Sequence, residues 1–165
     1  MATTYELIAS NTVGAGTTAT VTFSSIPQTY TDLLLRTSVR GDGAFGGANM
    51  TMSINGSTAN QSGKYLFGNG SAASSGSITN WDVGIEGTSY TANTFAVTDI
   101  YIPNYTGSTN KSASQEYATE NNATGSSLVM EALLWSNTAA ITSLSMSYTN
   151  IVQYSTFYLY GIKNS

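Results

Sequence analysis

The chain reads as an all-β protein, an antiparallel β-sandwich with a jelly roll as the expected topology. Three observations predict it. Apolar residues recur with a period of two in many short stretches, where helices would show a period of 3.6. The polar complement is Thr, Ser, Asn, Gly and Tyr, with only 8% charged residues, whereas helical enzymes carry Glu and Lys on their exposed faces. Turn dipeptides and two proline corners separate the stretches at regular spacing. At 165 residues the chain can bury one sizeable core, and a single sandwich domain over 1–165 is expected.

Taken in order, residues 5–9 (Tyr-Glu-Leu-Ile-Ala) form a short first strand, with a turn at 11–16. Ala19, Val21 and Phe23 then alternate with Thr18, Thr20 and Thr22, which predicts a half-buried strand with a threonine exterior. Pro27 fixes its own φ and biases Ile26 toward an extended conformation, so the chain turns a corner into its strongest strand signal. There Leu33, Leu35 and Val39 share one face with Thr37, while Asp32, Leu34, Arg36, Ser38 and Arg40 share the other. The glycine-rich loop at 41–47 lacks the Gly-Lys-Ser/Thr ending of a phosphate loop.

Met50, Met52 and Ile54 mark another strand, ended by the turn dipeptide Asn55-Gly56. Residues 64–67 make a short strand, and the Gly-Ser-Ala tract 68–77 reads as an exposed loop. A strand at 78–86 carries Trp81, Val83 and Ile85 out of phase with Asn80, Asp82 and Glu86. Residues 94–102 form a strong strand stopped by Pro103. A polar strand at 112–118 and a loop at 120–125 follow. Residues 128–135 and 141–148 make a hydrophobic pair around 136–140, since 128–134 is too short and uncapped for a helix. The last strand, 154–162, alternates aromatic and aliphatic residues. About ten strands are expected in all.

Composition also bounds the chemistry. There is no Cys and no His, which removes disulfides, Cys or His metal sites, thiol nucleophiles and the imidazole base of a Ser-His-Asp triad. The net charge of −4 and pI near 4.4 leave no basic patch for a phosphate backbone, so nucleic-acid binding is not expected. No apolar run reaches membrane-spanning length, and no membrane partner is expected. Residues 1–6 show no basic segment and no signal-type apolar run, so a location outside the cell implies release by lysis or within an assembled particle.

Two carboxylate pairs have the even spacing that shares a strand face, Asp82 with Glu86 and Glu116 with Glu120. A β-sandwich glycosidase needs only such a pair. No surrounding motif raises either above a solvated face, so no catalytic residue and no enzyme activity is expected. Asp42 and Asp99 are candidates for a calcium site, but no Asp-X-Asp-X-Asp loop occurs, so no metal and no cofactor is expected. Eleven tyrosines suit interfaces and sugar-stacking platforms. Tyr158 and Tyr160 share one face of the last strand, as Arg36 and Arg40 share one face of the third. These four are the candidate partner-contact residues.

Several segments together resemble a family of tailed-bacteriophage virion proteins common among aquatic phages, cyanophages included. They are Tyr-Glu-Leu-Ile-Ala at 5–9, Phe-Ser-Ser-Ile-Pro-Gln-Thr-Tyr-Thr-Asp-Leu at 23–33, Tyr-Ile-Pro-Asn-Tyr at 101–105, Thr-Glu-Asn-Asn-Ala-Thr at 119–124, Leu-Trp-Ser at 134–136 and Tyr-Leu-Tyr-Gly-Ile at 158–162. The likeness covers nearly the whole chain. It implies a virion structural protein, either a capsid decoration (cement) protein or a domain of a tail fibre or other appendage, and it carries no catalytic residues to transfer. A tail fibre needs an attachment region, often with coiled coil or repeats, and the β-pattern here starts close to Met1, so decoration of the outer capsid surface is the favoured expectation. The expected partners are the major capsid protein and copies of the chain itself, as a homotrimer or homodimer, with a host surface glycan the partner if the chain belongs to the tail.

Overall fold

A computed structural model describes residues 4–44, 48–120 and 126–163. Among these, twelve strands and no helix are found: β1 (Tyr5–Thr12), β2 (Thr17–Phe23), β3 (Asp32–Val39), β4 (Ala48–Ile54), β5 (Gln61–Gly68), β6 (Ala73–Ile78), β7 (Asp82–Ile85), β8 (Ala96–Ile102), β9 (Lys111–Glu120), β10 (Ser126–Trp135), β11 (Leu144–Val152) and β12 (Thr156–Ile162). They form an eight-stranded sheet in the order β1-β12-β3-β8-β9-β10-β5-β6 and a four-stranded sheet in the order β2-β11-β4-β7. All the strand pairs are antiparallel. The two sheets pack as a sandwich-like fold.

The period of two explains how they meet. Leu33, Leu35, Thr37 and Val39 point inward from β3, and their cross-strand neighbours continue the layer: Leu35 lies between Leu159 and Ile100, and Thr37 between Phe157 and Thr98. From the smaller sheet Val21, Phe23, Met50, Met52, Ile54, Leu144 and Met146 meet them, with Trp81 fully buried beside β7. At about 25 cal/mol per Å² of apolar surface, side chains of this kind contribute about 1.5–3 kcal/mol each. Three glycines let tyrosine rings lie flat on the backbone. A methyl at Gly84 would sit 1.8 Å from Tyr117 Cδ2, one at Gly161 2.3 Å from Tyr30 Cγ, and one at Gly76 2.6 Å from the Tyr65 hydroxyl.

The two proline corners meet. Tyr105 donates its hydroxyl proton to the Pro27 carbonyl, Ile141 N–H donates to the Tyr105 carbonyl at 2.9 Å, and Gln28 Nε2 donates to the Ile26 and Ile141 carbonyls at 2.8 and 3.0 Å. A tyrosine and a glutamine thus tie three connections into one end of the sandwich, and the buried carbonyls are not left unpaired.

Several expectations change. The tract at 68–77 is not all loop, because 73–78 pairs with β5 as β6. The strand at 78–86 is broken: β6 ends at Ile78, Trp81 sits between strands, and β7 begins at Asp82. The segments 128–135 and 141–148 are not a pair, since β10 lies between β9 and β5 while β11 lies between β2 and β4 in the other sheet. Asn55 and Gly56 do take positive φ, at 52° and 77°, but the strands they join belong to different sheets. Of the loops at 41–47 and 120–125, residues 45–47 and 121–125 lie outside the described residues.

Candidate functional site

The larger sheet has a second face, turned away from the core. Cross-strand register builds it row by row. One row runs Leu7, Tyr160, Leu34, Tyr101, Ser114, Ala132, Lys64, Ser77; the next runs Ser10, Tyr158, Arg36, Asp99, Glu116, Met130, Leu66, Ser75. Seven large apolar side chains are exposed on this face: Tyr5, Leu7, Leu66, Val97, Tyr101, Leu128 and Met130. The eighth exposed one among the described residues, Tyr154, sits in the turn before β12. Scattered exposed apolar residues are ordinary, but their segregation onto one sheet face is not.

A groove of about 930 Å³ runs along this face. Tyr5 and Tyr101 line one end, Leu66 and Met130 the other, with Arg36 and Asp99 on the floor. Tyr5, three strands away from β8 in the sheet order, is near enough to act electrostatically on both Tyr101 and Arg36. Arg36 and Asp99 are opposite one another and form a two-pronged pair, Nε to Oδ1 at 2.8 Å and Nη2 to Oδ2 at 2.6 Å. Such a planar fork holds its geometry well even where solvent screens its energy. The Tyr101 hydroxyl donates to buried Asp32 at 2.8 Å; that bond, then burial, raises its pKa above the ordinary tyrosine value. Lys64 Nζ donates to Ser77 at 2.5 Å near the β6 edge.

Three of the four residues expected to touch a partner come together here. Arg36 lies directly opposite Tyr158, and Tyr158 and Tyr160 stack with ring centroids 6.4 Å apart. Arg40 does not join them, and its assignment to the outer face is corrected. β3 ends at Val39, and Arg40 is only 8% exposed. Its guanidinium donates to the carbonyls of Thr91 at 2.9 Å, Thr94 at 2.8 Å and Tyr90 at 3.2 Å, and lies 3.6 Å from Glu86. A buried cation needs such a set of acceptors, so Arg40 braces the 90–94 loop from within.

The carboxylates also regroup. Glu86 is 1% exposed and opposite in character to Asp82, so the two do not form a pair on one open face. Burial raises its pKa, opposed by the Thr94 hydroxyl and Arg40. Glu116 and Glu120 do share the outer face of β9, in the alternation the spacing predicts. Asp42 accepts from Asn150 at 2.8 Å and Asp99 from Arg36; among the described residues no group of three or more acidic residues is placed to hold a metal.

One site had not been singled out. Glu131 sits on the inward face of β10, opposite Gln115 and Tyr65, where the short sheet no longer covers the long one. A cleft of about 420 Å³ opens there, lined by Asn49, Tyr65, Phe67, Gln115, Tyr117 and Glu131 among others. Gln115 Nε2 donates to Glu131 at 3.0 Å. Burial, helped by the nearby charge of Asp82, pushes the Glu131 carboxyl up to about 7. Asp82 is itself raised by burial, against a bond from Asn49. Leu133 and Trp135 carried the signal: by the period of two they place Glu131 on the core face.

Comparison with family models, with curated proteins and with solved structures finds no match for the chain.

Proposed function

We propose that the chain is a non-enzymatic structural protein of a tailed-phage virion, a decoration protein that lays the outer face of its eight-stranded sheet on the outer surface of the head. The observation that carries this reading is the gathering of seven exposed apolar side chains on that one face. A face of this kind works by buried area and shape repeated over many copies, with polar groups set among the apolar ones, such as Arg36, Asp99, Lys64 and Glu116, for register. The major capsid protein is the partner in this proposal. The resemblance of nearly the whole chain to aquatic-phage virion proteins supports it. So does the rolled strand order, with β1 beside β12 and β2 beside β11, which also favours the jelly-roll topology.

The test is reconstitution. Heads lacking the protein are mixed with the parent chain or with a Leu66→Glu, Met130→Lys double variant, whose substituted side chains are both more than half exposed and whose new charges alternate in sign with Glu116 along the row. The parent is expected to bind and protect the heads, and the variant to stay folded and fail. Binding by the folded variant as tight as the parent's would remove this face from the contact.

A second reading, a tail appendage domain that binds a host surface glycan, is favoured by the groove: Tyr5 and Tyr101 line it together with the Arg36–Asp99 fork, an aromatic and hydrogen-bonding combination suited to sugar rings. Binding on a glycan array that is lost with Tyr101→Ala, together with labelling at the tail, is the result that selects it over decoration.

A further inference from the structure

The two sheets end in four edge strands, and the four differ. β7 is four residues long and begins with Asp82. β1 carries Glu6 and a register shift between Leu7 and Ala9. β2 faces a register shift in β11 between Ser147 and Ile151. Shortness, charge and irregular pairing are the devices by which sheets keep their edges from recruiting another strand. β6 has none of them. Its six residues, Ala-Ser-Ser-Gly-Ser-Ile, hold no charge and no proline. They pair with β5 in unbroken register from Gly63 opposite Ile78 to Gly68 opposite Ala73. Among the described residues no strand lies on the far side of β6.

We infer that β6 is a dimer edge, on which a second copy of the chain pairs its own β6 antiparallel and joins two eight-stranded sheets into one. The chemistry of the strand selects a second copy over a charged partner. Two identical antiparallel strands are related by a two-fold axis perpendicular to the sheet, an arrangement that closes at two. Registers that keep face against face set Ser75 opposite Ser75, or Ser75 opposite Ser77. Serines, glycine and alanine then oppose one another, with Ser74 opposite Ile78 in the second register, and no charged side chains of β6 meet. β6 itself carries no charge, and Lys64 beside it is already held by Ser77 at 2.5 Å, so a strand with its own charges gains little there. The two-fold turns both outer faces, with their grooves, to the same side. The result is a dimer and not a trimer. This inference does not rest on the virion proposal, because it concerns the isolated chain in solution.

Sedimentation equilibrium of the purified full chain over a wide concentration series tests it. The parent is expected to be a monomer–dimer system. Ser75→Lys with Ser77→Lys is expected to weaken the dimer at least about tenfold by opposing like charges in either register, and Ser75→Glu with Ser77→Glu to do the same. An equimolar mixture of the two variants is expected to recover dimer as the heterodimer. Cooperative melting of each variant alone shows that the fold is kept; the lysine variant sets Lys opposite Lys64 within one copy and is expected to melt somewhat lower, the glutamate variant no lower than the parent. A parent that is monomeric throughout, a trimer, or a dimer indifferent to both variants overturns the inference, and so does a mixture of folded variants that stays monomeric.

Discussion

Replacing Glu131 by glutamine is expected to stabilise the protein at pH 8 and to leave it unchanged at pH 4. The carboxyl titrates near 7 when folded, against an ordinary 4.5, chiefly because burial disfavours its charge and Asp82 adds to the effect. A rise of that size corresponds to about 3 kcal/mol at about 1.4 kcal/mol per pH unit. The side chain is only partly buried, so solvent screening reduces the figure to about 1–2 kcal/mol. The sign follows from proton counting. Below pH 4.5 folded and unfolded chains both hold the proton, and the group contributes nothing. Between 4.5 and 7 the folded chain holds the proton that the unfolded chain has lost, so stability falls as pH rises. Above 7 the whole cost is present. Glutamine keeps the shape and the bond with Gln115 without the charge. Urea denaturation at pH 4, 5.5 and 8 reads the difference as a midpoint shift at constant slope; at pH 8 the melting temperature is expected to rise by roughly 3–6 °C. A Glu131→Gln variant no more stable than the parent at pH 8, with the same fall in stability from pH 4.5 to 7, refutes the placement of this carboxyl.

Three further substitutions separate packing from charge. Gly84→Ala is expected to cost about 2–3 kcal/mol in urea denaturation, because the added methyl would lie inside the Tyr117 ring and both must move. Arg40→Ala is expected to cost about 3–5 kcal/mol, since it leaves Glu86 buried without its cation and takes a charged donor from the carbonyls of Tyr90, Thr91 and Thr94. Arg36→Ala, which removes a half-exposed pair, is expected to cost less than about 1 kcal/mol. Equal losses for the two arginines would contradict the burial of one and the exposure of the other.

The strand pattern was readable from the sequence wherever one face is apolar and the other polar. Leu33, Leu35 and Val39 fell inward as their spacing says, and Glu116 and Glu120 share the outer face of β9 as theirs does. Reading failed where the rule loses its footing. β10 is apolar on both faces, with Leu128 and Met130 outside and Leu133 and Trp135 inside, so neither its partner strand nor Glu131 stood out. Arg40 follows the end of β3, and a period of two says nothing about a side chain once the strand stops; its acceptors lie some fifty residues on, in a loop whose position only the fold supplies. β6 has the composition of a loop and becomes a strand because β5 offers it a straight partner, a case of tertiary pairing overriding weak propensity. The outer face was legible in part, as Arg36, Tyr158 and Tyr160, while Leu66, Val97 and Met130 join them only through the strand order.

The most direct test of the virion role is the number of copies per particle. Quantitative mass spectrometry of purified virions that encode the chain, with labelling to locate it, is expected to find hundreds of copies distributed over the head. A handful of copies confined to the tail would contradict the decoration role, and a purified virion without the protein would contradict a structural role of either kind.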